Sequence, residues 1–196
     1  MSKRALVSLG AIAFFLAGLA LVATVQGDEG STPAKTEAKA EGSTPAKAEP
    51  AHSYVGTNKC KMCHSGASKG DIYQIWEKSK HSQAFANLPE EGKKNTVCFA
   101  CHTTGYGKPG GFSPDAENAV NLEGVGCEAC HGPGSDYKSM SVMKDKEKAI
   151  AAGLVIPDAS TCKQCHEGKV PEGHKALPKF DFAASYKLIE HHIPKK

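Results

Sequence analysis

The chain has 196 residues, with 24 Lys and Arg against 21 Asp and Glu, a formal net charge of +3. The basic residues are scattered and not interleaved with aromatics, which argues against a nucleic-acid surface. One Trp, few Ile and Leu, 20 Gly and 11 Pro leave too little apolar mass for a substantial conventional core, while eight cysteines point to covalent or metal chemistry.

Residues 1–27 read as an export signal or an N-terminal membrane anchor. Lys3 and Arg4 form a basic start, Ala5 to Val25 carry no charge, and Val25-Gln26-Gly27 offers small residues for cleavage. Residues 5–25 are also about as long as a membrane-spanning helix needs, so cleavage and anchoring both stand. Residues 28–50 contain GSTPAK twice, separated by Ala, Lys and Glu, and read as a low-complexity flexible linker. Residues 51–196 are short enough for one domain.

All eight cysteines of that domain fall in four copies of one pentapeptide. These are CKMCH (Cys60, Cys63, His64), CFACH (Cys98, Cys101, His102), CEACH (Cys127, Cys130, His131) and CKQCH (Cys162, Cys165, His166). Cys-x-x-Cys-His is the attachment signature of c-type haem: two thiols join the porphyrin vinyl groups and the adjoining histidine reaches the iron. Zinc sites or a disulfide framework would also use the cysteines. Neither explains a histidine after every pair. Four covalently attached haem c groups are therefore expected, and they supply the missing apolar mass. Export agrees with this, because haem is attached outside the cytoplasm, and the expected location is the periplasm.

The expected fold is mainly α with long loops, a small multihaem cytochrome c fold organised around the four haems. Each iron then needs an opposite ligand, and five histidines remain: His52, His81, His174, His191 and His192. A helix is predicted from Asp71, as N-cap, to about Leu88 before Pro89, with His81, Ala84, Phe85 and Leu88 on one face. His81 is the first choice as a distal ligand, for a haem other than its sequence neighbour. SMSVMKDKEKAIAAG reads as a helix, with Met140 and Met143 as packing residues or sulfur ligands. His174, on a Pro/Gly-rich loop, is a further candidate that would return over its own ring or a neighbouring one. FDFAASYKLIEHHIPKK reads as a short helix ending in two histidines. Adjacent helical residues diverge by about 100°, so one of them serves, and His191 is preferred. His52 is expected in solvent. That leaves two or three distal histidines for four irons, so either a remote group completes the set or one iron is five-coordinate.

YVGTNKCKMCH, IWEKSKHSQAF and GVGCEACHGPGSDY together resemble the tetrahaem cytochrome c-554 family from about Tyr54 onward. The resemblance implies a mostly helical fold with long loops, haems stacked in pairs and an exported electron carrier. The best-known member of that family keeps one five-coordinate haem beside bis-histidine haems. By the same likeness His81 maps onto a distal ligand, and the histidine before a terminal Ile-Pro favours His191. Many relatives carry a histidine shortly after GPGS, where this chain has Asp136-Tyr137.

Three functions compete. The leading one is electron transfer between redox protein donors and acceptors, since no Ser/His/Asp set, paired-carboxylate motif or nucleotide loop is present. The second is an enzyme reducing nitric oxide, hydroxylamine or peroxide at an open iron. The third is a polymeric haem wire, with His52 or His174 donated across a subunit interface.

Overall fold

The computed structural model describes residues 52–194. The export or anchor segment and the 28–50 linker lie outside the described residues. Among those described, eight short helices follow in order: α1 (Thr57–His64), α2 (Ile72–Glu77), α3 (Thr96–His102), α4 (Cys127–His131), α5 (Met140–Met143), α6 (Lys146–Ala151), α7 (Ala159–His166) and α8 (Phe182–Tyr186). The one β contact among them is an isolated antiparallel bridge between Thr103 and Glu123. The fold is mainly helical, with long connections.

Every Cys-x-x-Cys-His closes a helix: α1, α3, α4 and α7 each end on the histidine. Cysteines at i and i+3 and a histidine at i+4 share one helix face, so winding presents both thiols and the imidazole to the same side. Two of these helices are fixed by side-chain caps. Asn95 accepts from Val97 N at the start of α3, and Asp158 forms a capping box with Thr161 at the start of α7.

The conventional core is small. Phe99, Phe112 and Leu122 are buried together, with Tyr54, Phe85, Tyr106 and Ala119 packed around them. Phe99 and Phe112 meet edge to face at 5.1 Å between centroids. Phe99 belongs to the second signature, so this cluster roots α3.

A polar staple joins the first and third signatures. Glu128, inside the CEACH pentapeptide, is 2% exposed. Its carboxylate accepts from Val55 N, from Gly56 N at 2.7 Å and from Gly134 N at 2.6 Å. One side chain thereby holds the backbone leading into α1 and the turn leaving α4. The Tyr137 hydroxyl closes that turn by donating to the Gly132 carbonyl at 2.6 Å.

Three predicted helices are shorter than the sequence pattern suggests. The helix beginning near Asp71 stops at Glu77, and residues 78–88 run as turns. The Ser82 hydroxyl donates to the Glu77 and Ser79 carbonyls, and Val125 N donates to the His81 carbonyl, so these acceptors are drawn away from a helical ladder. Asp71 is not a side-chain cap; it is left-handed at φ 50° and follows left-handed Gly70. A Cβ on Gly70 would run into the His192 carbonyl, so glycine lets the C-terminal segment cross there. The 139–153 stretch divides into α5 and α6 because Asp145 caps α6 by accepting from Lys148 N. The terminal helix ends at Tyr186, which leaves His191 and His192 on non-helical chain.

Candidate metal centres

The helices bring the signatures together in pairs. The Cys60 and Cys127 thiols lie close enough to shift each other's ionisation, placing the first signature against the third. Cys101 and Cys165 likewise join the second to the fourth. Cys130 lies close enough to Cys162 to feel its charge, which links the third to the fourth. No disulfide joins any of the eight cysteines. Among the described residues, which include every cysteine, no group of three or more Cys, His, Asp or Glu converges as a metal cage. Burial pushes the Cys130 thiol up to about 11 and the Cys165 thiol up to about 12.

Histidines face one another across gaps. The His81 and His166 rings are 5.9 Å apart between centroids, His102 and His174 6.3 Å, and His131 and His191 5.9 Å. Metal–imidazole bonds are about 2 Å long and each ring centre lies about 1 Å behind its nitrogen, so two histidines on one iron have centroids roughly 6 Å apart. All three separations match. Each pair joins one signature histidine to one from elsewhere in the chain. His81 thus faces the fourth signature, His174 the second and His191 the third.

Neighbouring carbonyls orient these rings. His102 Nδ1 donates to Ala84 O at 2.7 Å, His131 Nδ1 to Val155 O at 3.1 Å and His191 Nδ1 to Ile189 O at 2.9 Å. A carbonyl only accepts, so Nδ1 carries the proton and Nε2 is left bare, the form that binds a metal. Burial first, then neighbouring histidines, hold His64 and His81 below the ordinary value; burial does the same for His131. Neutral imidazole is favoured at each. The His166 ring is stacked on Phe180 at 4.9 Å.

His64 differs. All nine histidines lie among the described residues, and none forms a facing pair with it. His52 Nδ1 is 2.5 Å from an Asp136 carboxylate oxygen, and His192 lies 3.7 Å from Glu190. His64 Nδ1 is buried without a hydrogen-bond partner. Beside it is a cavity of about 200 Å³ lined by Cys60, Cys63, His64, Tyr137, Met140 and Met143, with Lys59, Lys69, Lys138 and Lys144 among its remaining walls. A second cavity, of about 280 Å³, runs between the first and third signatures and is walled by Trp76, Leu154, Ile156 and Ile189 among others. Apolar space beside same-face thiols and paired imidazoles fits haem. It also explains how so small a packed core suffices.

Several positioning groups carry no motif. Glu128 is one; another is Trp76, whose indole N–H donates to Val125 O at 2.8 Å and fixes the strip beside the 280 Å³ cavity. The carbonyls of Ala84 and Val155 are invisible to side-chain patterns. For Glu128 the only sequence signal is a carboxylate inside an otherwise lysine-bearing or apolar set of pentapeptides.

Residues 59–132, which span the first three signatures, match the family model described as cytochrome c554 and c-prime. Cytochrome c-554 of Nitrosomonas europaea is 27% identical over 172 residues, covering 70% of this chain and 71% of its own. A solved structure of the reduced state of cytochrome c554 from Nitrosomonas europaea aligns with a TM-score of 0.47 at 26% identity, over 70% of this chain and 79% of that one.

Proposed function

We propose that this chain is an electron-transfer cytochrome of the c554 type, with four covalently attached haem c groups, and that it works as a periplasmic carrier shuttling electrons between redox proteins. Bound haem c supplies a reversible one-electron couple at each signature. The chain's part is to hold four such groups close together and fix their ligands. His81 with His166, His102 with His174 and His131 with His191 are the axial pairs of this reading, and their matching separations are the observation that carries it. The cysteine contacts order the route as first, third, fourth and second signature. His52 and His174, which a polymeric wire would need at an interface, are engaged within the chain by Asp136 and His102. Mixing the oxidised protein with a reduced donor is expected to give reversible uptake of several electrons. Haems that could not be reduced and reoxidised would end this reading.

One observation favours a second activity at the same centres, reduction of a small ligand. His64 faces no histidine, so an iron held there would present an open position toward Tyr137 and Met143. Low-temperature EPR of the oxidised protein should then show three low-spin irons and one high-spin iron. Carbon monoxide should alter one haem of the reduced protein, whereas four unchanged spectra would leave electron carriage alone.

A further inference from the structure

We propose that the lysines around the first signature make the His64 position a site for a small inorganic anion with an iron-binding donor atom, of the azide or nitrite class. The inference rests on the reading that His64 holds an iron with no histidine opposite. Lys59, Lys69, Lys138 and Lys144 line the 200 Å³ cavity that contains Cys60, Cys63 and His64, and no Asp or Glu lines it. All four lysines are exposed. Lys138 Nζ spends one hydrogen bond on the Ser135 carbonyl at 2.7 Å and keeps two further donors. Glu128, whose charge is felt by Cys60 and Tyr137, does not line the cavity, and its oxygens are committed to the backbone amides of Val55, Gly56 and Gly134. Tyr137 and the two methionines leave the inner wall without a carboxylate that would repel an incoming anion. The four lysines thus outnumber the two propionates that a porphyrin held here would bring, and the remaining positive field raises the local concentration of anions and favours their bound state.

At a charge separation of about 8 Å in water an exposed lysine changes an anion's affinity roughly two- to three-fold at low salt, so removing three lysines of this rim should cost about tenfold. A neutral ligand at the same iron should not respond. Binding transfers no electron: the anion adds intact to the oxidised protein.

The test uses the complete haem-loaded protein and its K59Q/K138Q/K144Q variant. Azide is titrated into the oxidised forms and carbon monoxide into the reduced forms, both followed by absorption and by the high-spin EPR signal. The proposal expects azide to convert one haem in four, about tenfold more weakly in the variant, with carbon monoxide affinity the same in both. Equal azide affinity in the two proteins would overturn it, including the case where the lysines serve only the porphyrin propionates and the variant shifts reduction potentials alone. Carbon monoxide binding without azide binding would also overturn it, while the open-iron reading survives. Silence toward both ligands would remove the open iron and the anion site together.

Discussion

The six histidines of the facing pairs are held from both ends, by the metal geometry they match and by what touches their rings. His191 is set by the Ile189 carbonyl and lies beyond α8 on non-helical chain. There His191 turns to His131 while His192 turns to Glu190. Replacing His191 by alanine is expected to convert one further iron to high spin and to raise the number of haems that respond to carbon monoxide from one to two. EPR and reduced-minus-oxidised spectra read both effects, and an unchanged spin count would exclude His191 as a ligand. At this scale the pentapeptides are legible because all their chemistry lies within five residues. The partner of each is not, because His81 and His166 or His174 and His102 meet only through the folding of intervening loops. The isolation of His64 is likewise a property of the whole chain. Asp136 and Tyr137, which stand where the family resemblance leads one to expect a histidine, are taken up by His52 and the Gly132 carbonyl.

Among the elements, α1 and α4 depend on a side chain that belongs to only one of them. Glu128 satisfies backbone donors on both sides of the contact between the first and third signatures, and donors left unpaired in a buried site are costly. Glu128→Ala is predicted to destabilise the haem-loaded protein by about 3 kcal/mol. Glu128→Gln should lose about half as much, since one oxygen still accepts. Denaturant midpoints at constant slope measure both, and an alanine variant as stable as the parent would mean that the staple carries no weight. The spacing of apolar residues locates helices and does not give their caps or length: Asp71, the cap expected from sequence, makes no capping bond, whereas Asn95 and Asp158 do. The 71–88 pattern has the apolar spacing of a long helix, yet it breaks where Val125 claims the His81 carbonyl, a contact from a distant segment. Apolar periodicity there reports which residues turn inward, whether or not the backbone is helical: Ile72, Ile75 and Trp76 line the 280 Å³ cavity, and Phe85 packs on Phe99 and Phe112.

Across the whole molecule, folding removes histidines from water in their neutral form. Burial holds His64, His81 and His131 below their ordinary 6.5, and iron ligation acts in the same direction. Below about pH 6.5 the unfolded chain therefore binds more protons than the folded one, and stability falls as pH is lowered. Asp145 and Asp158 are held below the usual carboxylate value, Asp145 first by the Lys148 backbone N–H and Asp158 first by the Ser160 hydroxyl. Their contribution is present above about pH 4 and is lost below it. Thermal melting from pH 7.5 to 3.5 should show two successive declines, the first between about pH 6.5 and 5. A melting temperature independent of pH above 5 would contradict buried neutral histidines.

The interlocking of the facing pairs has a consequence for how the molecule is made. The second signature is answered by His174, which emerges after the fourth, and the fourth by His81, which emerges before the second. No half of the polypeptide completes its own set, and the thiols of Cys130 and Cys165 are hard to ionise once enclosed. The maturation machinery must therefore act on an open strand, and collapse to the finished shape must come after the final pigment is in place.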